Sequence, residues 1–286
     1  MGRQRLSGVP PQPAASAGAD GRAWRVFISS CDAYRDLWPV LFHFLFRFWP
    51  DAPQPVYLVA NYHSFADPRV ETIRVGPDRH WSDNTRAALE RVPCPFLLYL
   101  QDDYLLNGPV QTELLQQIIG QMQSNAGCFL SLLHQANQGT PVGSTALRAM
   151  PRDHWRADLQ AGFWRKETLA NVLGPGHNPW QGERAIKELK EQSPPGFFLL
   201  DEKVPRLLPY LEAVKGAFWK PDALAFCREQ GVEPNLSARP CPPPGEDLVS
   251  KALRSLHKRK LRLAGSMDAM IASRRGGKPV SPLEKL

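Results

Sequence analysis

The run Pro95-Phe-Leu-Leu-Tyr-Leu100, followed at once by Gln101-Asp102-Asp103, is the feature that most constrains this chain. A short, continuous apolar run that ends in a polar turn reads as a buried strand followed by a loop. The same device occurs twice upstream. Arg25-Val-Phe-Ile-Ser29 runs into Ser30-Cys31-Asp32, and Pro55-Val-Tyr-Leu-Val-Ala60 runs into Asn61. Between them, Tyr34 to Trp49 is rich in Leu and Phe and is closed by Pro50, as expected of a buried helix. Val70 to Val75 reads as a third strand, and Ser82 or Asp83 as the cap of a helix through Thr85 to Arg91. Strand, helix, strand, strand, helix, strand predicts an α/β fold. In such sheets ligands gather beyond the carboxyl ends of the strands. Ser29 to Asp32, Asn61 and Asp102–Asp103 are therefore expected to converge.

The second half is less regular. Thr112 to Gln123 reads as a helix and Cys128 to Leu133 as a strand, with a Gly/Asn/Thr-rich loop from Gln135 to Thr145. Lys166 to Leu173 and Glu183 to Gln192 read as helices, and Phe197 to Leu200 and Tyr210 to Val214 as added strands. Cys241-Pro-Pro-Pro-Gly245 breaks the chain before a basic tail. Three parts follow: a disordered leader over 1–23, a catalytic domain over 24–240, and a Pro-rich hinge with a basic amphipathic tail over 241–286.

No apolar run approaches the roughly 20 residues needed to span a bilayer, and the first residues have no continuous apolar segment of the secretory kind. Five scattered cysteines include no Cys-x-x-Cys pair, which favours a reducing compartment over a disulfide framework. A cytoplasmic protein is the expectation. The net charge is +7, and much of the excess lies after residue 250. That is a local tail rather than a groove along the chain, so no nucleic-acid partner is expected. In the tail, Val249, Leu253, Leu256, Leu263, Met267 and Met270 recur at near-helical spacing, and cations fall largely on other faces. An interfacial helix on an anionic membrane surface has this pattern; so does a basic helix packed on the domain.

Four groups of residues carry chemistry. Asp102 and Asp103, adjacent at a buried strand end, repel each other and lose solvent, a cost that Mg2+ or Mn2+ removes. The alternative is a solvated acidic turn. In Asn178-Pro-Trp-Gln-Gly-Glu183, Trp180 offers a face for a sugar ring, and Glu183, opening a helix, is placed to accept a proton from an attacking hydroxyl. A carboxylate in a helix's first turn also serves the dipole alone. Gln160, in Asp158-Leu-Gln-Ala-Gly162, can hydrogen-bond a sugar, with Gly162 permitting close approach. Ser30, Asp32 and Asn61, with Trp81 and Ser82, are candidates for base and ribose, or are turn and cap formers.

In order, these segments resemble bacterial surface-polysaccharide glycosyltransferases of the GT-A fold. The resemblance runs from Val26-Phe-Ile-Ser-Ser-Cys-Asp32 and Pro55-Val-Tyr-Leu-Val-Ala-Asn61 through Phe96-Leu-Leu-Tyr-Leu-Gln-Asp-Asp-Tyr104, Leu159-Gln-Ala-Gly-Phe-Trp-Arg165 and Asn178-Pro-Trp-Gln-Gly-Glu183 to Ala213-Val-Lys-Gly-Ala-Phe-Trp219. It implies a Rossmann-like mixed sheet flanked by helices, transfer of a sugar from a nucleotide-diphosphate donor to a saccharide or lipid-linked saccharide acceptor, and a cytoplasmic enzyme peripheral at the inner face of the cell membrane. It also implies a DxD-type metal and diphosphate motif at Asp102 and Asp103, with Asp103 the more direct metal ligand, and Glu183 as the base of an inverting reaction. Ser30, Asp32 and Asn61 match the nucleotide side, and Lys215 and Lys220 are candidates to face the phosphates. Gly182 departs from the bulkier or acidic residue expected in that turn. Two other classes remain: a nucleotidyl or phosphoryl transferase, which should carry a Gly-rich phosphate loop after strand one, and a noncatalytic binding protein using the basic tail.

Overall fold

A computed structural model describes residues 23–136, 138–242 and 248–283. The expected leader, apart from Ala23, and most of the Pro-rich break lie outside these residues, as do the side chains of Val249 and Leu253 in the expected apolar stripe. The elements in chain order are β1 (Trp24–Ser29), α1 (Trp38–Phe48), β2 (Val56–Ala60), β3 (Ser64–Phe65), β4 (Val70–Arg74), α2 (Trp81–Leu89), β5 (Phe96–Gln101), β6 (Tyr104–Leu106) and α3 (Thr112–Ser124). There follow β7 (Phe129–Ala136), β8 (Thr140–Pro141), β9 (Leu147–Ala149), β10 (Gly162–Arg165), α4 (Lys166–Val172), α5 (Pro179–Glu188) and β11 (Phe197–Asp201). The chain continues through β12 (Tyr210–Glu212), β13 (Val214–Lys215), β14 (Phe218–Trp219), α6 (Pro221–Glu229), α7 (Leu248–Arg275) and β15 (Pro279–Val280).

The main sheet runs β4-β2-β1-β5-β10-β7-β11-β9-β8. Its first four strands are mutually parallel; β10 lies antiparallel between β5 and β7, and β11 is parallel to β7. The result is a mixed, Rossmann-like sheet flanked by helices. The strands are apolar on both faces because both faces are covered. Val26 and Ile28 of β1, and Leu98 and Leu100 of β5, pack with α1, α3 and α6; Phe27, Leu97 and Tyr99 point the other way, toward α2, α4 and α5.

Parallel registration sets the site. Ser29 pairs with Gln101, so the residues after β1 and after β5 leave the sheet side by side. Asn61 follows β2, the neighbour of β1 on the other side. A small antiparallel pair, β6 with β12, sets Glu212 opposite Tyr104 just beyond the Asp102–Asp103 turn.

Two sequence expectations need correction. α5 starts at Pro179, four residues before Glu183: Asn178 and Gln181 form a capping box, and Pro179 occupies the first turn, where its missing N–H costs nothing. Glu183 thus sits in the second turn rather than opening the helix. The α2 helix starts at Trp81, and neither Ser82 nor Asp83 is its N-cap; His80 is, with no side-chain cap bond.

Candidate functional site

The carboxyl ends of β1 and β5 bring Ser30 against Asp102. The Ser30 hydroxyl donates to Asp102 Oδ2 at 2.5 Å and accepts from Trp38 Nε1 at 2.8 Å, so α1 fixes the serine that fixes the carboxylate. Asp102 is buried. Burial first, then repulsion by Asp103, holds its carboxyl well above the ordinary carboxylate range, and the Ser30 bond opposes both. Asp103 is pushed up to about 6, by burial first and then by the charge of Glu212; backbone amides of Asp103 and Val214 and the Lys220 charge pull the other way. One of its carboxylate oxygens, Oδ1, is buried without a hydrogen-bond partner among the described residues. A buried carboxylate oxygen left without a donor is costly.

A hairpin missed as a unit by the sequence reading closes this turn from the far side. Ala213 N–H donates to Asp103 O at 2.7 Å, and Lys220 N–H donates to Ala213 O at 2.8 Å. Glu212 is exposed beside the pair. Tyr34, carried by a single 3-10 turn after β1, reaches Gly216 O at 3.4 Å. Its phenol is raised to about 12, by burial and then by the Asp102 charge. The nearby positive charge is Arg239, buried, forked onto Asp36 at 2.9 and 3.0 Å and lying 4.5 Å from the Tyr34 ring centre. Cys31 is raised to about 12 by burial and then by Asp102, which removes thiolate chemistry at neutral pH. The short hairpin strands of two residues each gave no periodic signal from which this wall could be read.

Asp32 and Asn61 come together as expected, but with each other. The Asp32 carboxylate accepts backbone N–H groups of Asn61 at 3.0 Å, Tyr62 at 2.9 Å and His63 at 3.3 and 3.4 Å. Asn61 Oδ1 accepts from Asp32 N–H at 3.1 Å, and its amide donates to Gly76 O. Both residues are buried, and their polar atoms are engaged in joining the ends of β1 and β2.

On the other flank, Trp81 Nε1 donates to Ser29 Oγ at 3.0 Å. Ser82, fully buried, is spent on the loop before α5: it exchanges bonds with His177, at 2.9 and 3.1 Å. A Cβ on Gly182 would lie 2.5 Å from the Trp81 ring, which explains why no larger residue stands there. That contact carries α5 to the strand ends. Trp180, 76% exposed, presents its ring to solvent, and Glu183 pairs with Lys187 at 3.2 Å on the same helix. Gln160 lies just before β10, beside the carboxyl end of β5. Its Oε1 accepts from Tyr104 at 2.6 Å and Tyr210 at 3.2 Å, whose rings stack with centroids 4.4 Å apart. Gly162 serves strand packing, since a Cβ there would meet Leu130 O at 2.9 Å.

Among the described residues no three His, Cys, Asp or Glu side chains form a ready metal cage. Two carboxylates, one with a donor-starved oxygen, nevertheless suit a hard cation whose remaining ligands come from phosphate and water. A shallow depression bordered by Arg152, Asp153, Lys190 and Glu191 involves none of these groups and is spanned by an Arg152–Glu191 ion pair.

No family model and no curated protein matches the sequence. Solved structures similar in fold include Staphylococcus aureus TarS 1-349 in complex with UDP-GlcNAc, at 13% identity and a TM-score of 0.44 over 72% of this chain and 64% of that one. A longer crystal structure of S. aureus TarS aligns at 12% and 0.43, over 72% of this chain and 38% of its own. A cytidylyltransferase from Leptospira borgpetersenii aligns at 10% and 0.41, over 73% and 95%. This chain thus spans less than two thirds of either TarS chain.

Proposed function

We propose that the chain is a nucleotide-sugar-dependent glycosyltransferase whose donor site is the Asp102–Asp103 turn. The observation that carries this reading is the pair of adjacent carboxylates at the carboxyl end of β5, one of them with a buried oxygen that lacks a donor among the described residues, beside the polar loop after β1. Such a pair is unfavourable by itself and becomes favourable when a cation and a diphosphate join it. The ordered set of resembling segments supports sugar transfer in particular. The loop after β1, Ser-Cys-Asp-Ala-Tyr, contains no glycine, unlike the phosphate loop expected of the nucleotidyl- or phosphoryl-transferase alternative.

Each residue then has a role. Asp103 and Asp102 would hold Mg2+ or Mn2+, which when bound neutralises charge growing on the diphosphate leaving group. Ser30 orients Asp102. Lys220, whose charge already acts on Asp103, faces the phosphates. Asp32 and Asn61 position the β1 and β2 ends rather than donate free polar atoms. Gln160, its oxygen taken by two phenols, directs its amide N–H groups at donor-sugar hydroxyls. Trp180 stacks on a sugar ring. Glu183 takes the proton from the acceptor hydroxyl; its partner Lys187 is exposed and free to swing away.

Release of nucleoside diphosphate from a panel of nucleotide sugars, with Mn2+ and a saccharide acceptor, tests the reading. Turnover is expected in the wild type and its loss in Asp103→Ala with unchanged circular dichroism; equal turnover in the two overturns the site. Glu183→Gln is expected to lower kcat by about 10²-fold or more with little change in donor affinity. Near-normal turnover moves the base elsewhere.

A further inference from the structure

The helix α7 has two unlike sides. One is docked. Asp268, its lone acidic residue, bonds Arg35 Nη1 at 3.0 Å and His63 Nε2 at 3.0 Å. Ala272, one turn on, is buried, and a Cβ on Gly265 would lie 4.0 Å from that of Ala33. The other side is bare at its described side chains. Leu256, Leu263, Met267 and Met270 are 60%, 73%, 61% and 51% exposed, and Ile271 at the edge is 48% exposed. At 3.6 residues per turn these four fall within one narrow stripe, turned away from Asp268 and Ala272. Arg259 and Lys260 flank the stripe and Arg274 ends it, all exposed.

We propose that this outer face of α7 is a docking surface for an anionic lipid bilayer. Charge complementarity selects that occupant. The helix carries eight Lys and Arg residues against one acid, and that acid is turned inward and doubly paired. A second copy of this chain would set like-charged helices face to face, whereas anionic headgroups answer the cations while the acyl boundary takes the Leu and Met side chains. Lys260 reaches the headgroups by extending its stem past the apolar atoms. No helix among the described residues is long and apolar enough to cross a membrane, so the contact is a surface one. Because the opposite side of α7 lies against residues 33–35, just after β1, the helix would stand between the bound surface and the loop that follows β1. The inference stands independently of the sugar-transfer reading.

Deleting the tail does not test this cleanly. The same segment braces the Asp32 corner: β15 pairs with β3, and His63 Nδ1 bonds the Lys278 backbone at 3.0 Å. Substitutions confined to the outer face do test it. The full chain is sedimented with phosphatidylcholine vesicles, with and without phosphatidylglycerol, at low and high salt. The expected result is enrichment on the anionic vesicles that weakens as salt rises. Leu263→Glu with Met267→Glu should lower the partition coefficient by about tenfold or more, the factor expected for withdrawing one aliphatic side chain from an apolar phase. Arg259→Glu with Lys260→Glu should lower the preference for anionic lipid by about tenfold or more. If the first pair fails to fold by circular dichroism, Leu256→Glu repeats the test further along the helix. No enrichment, equal binding to neutral vesicles, or wild-type binding by both pairs overturns the proposal. So does an oligonucleotide complex or a dimer, either formed without vesicle binding.

Discussion

Two buried acidic centres lie side by side at the strand ends, and they are built in opposite ways. At the β1–β2 corner, Asp32 is surrounded by backbone donors: Asn61, Tyr62 and His63 all give it their N–H groups. At the β5 end, Asp102 has one serine and Asp103 keeps a buried oxygen with no donor among the described residues. The first carboxylate is a structural fastener whose charge is answered within the fold. The second pair is held raised by burial first and then by a neighbouring carboxylate, Asp103 for Asp102 and Glu212 for Asp103. A protein tolerates such a pair where a ligand supplies what the fold withholds. The difference separates two acids that the sequence expects to converge at the strand ends, Asp32 on the nucleotide side and the Asp102–Asp103 pair on the metal.

The sharpest way to break the comparison is one chemical change made at both places. Asp32→Asn should destabilise the protein by about 2–4 kcal/mol, because its NH2 group meets at least one backbone donor and the remaining bonds lose their charge assistance. Asp103→Asn should act in the other direction, raising stability in the absence of metal by on the order of 1–3 kcal/mol at neutral pH. The sign follows from proton binding. The folded-state value of about 6 stands above the ordinary 3.8, so the folded state binds more protons between those pH values. Wild-type stability should therefore fall as pH rises through that window, and Asp103→Asn should flatten the fall. Asp102, raised in the same sense, leaves a residual slope. Urea midpoints from pH 4 to 8 measure all of this; equal losses in both variants would erase the distinction.

A smaller effect sharpens the place of the third acid, Glu183. Gly182→Ala gains helix propensity of about 1 kcal/mol but drives a methyl into the Trp81 ring, a cost of about 1–3 kcal/mol. A net loss of about 1 kcal/mol is expected, with a larger loss of turnover as α5 shifts from the strand ends. Full activity would separate Glu183 from the site.

The strands of the parallel half were legible because both-sided burial leaves an unbroken apolar run, as in Phe96 to Leu100. Convergence of Ser30 with Asp102 followed from parallel pairing alone. The antiparallel insertion of β10 between β5 and β7 was not legible, because pairing partners depend on contacts distant in sequence. The start of α5 was missed although Asn178, Pro179 and Gln181 signal it, because Gly182 reads as a breaker until the Trp81 ring is seen against it. Satisfaction of Asp32 by backbone amides was likewise hidden, since every residue type carries the same N–H. The tail's stripe was legible as periodicity; which face docks was decided by Asp268, Ala272 and Gly265 in three dimensions.

The central claim is that the Asp102–Asp103 turn takes a nucleoside diphosphate together with a divalent cation. Calorimetric titration of the full chain with a panel of nucleoside diphosphates, with and without Mn2+, measures this most directly. The account predicts that one nucleotide binds, that Mn2+ strengthens the binding at least tenfold, and that Asp103→Ala removes the Mn2+ effect while leaving the fold unchanged. Binding that ignores Mn2+, or a Mn2+ effect of wild-type size in Asp103→Ala, would contradict it.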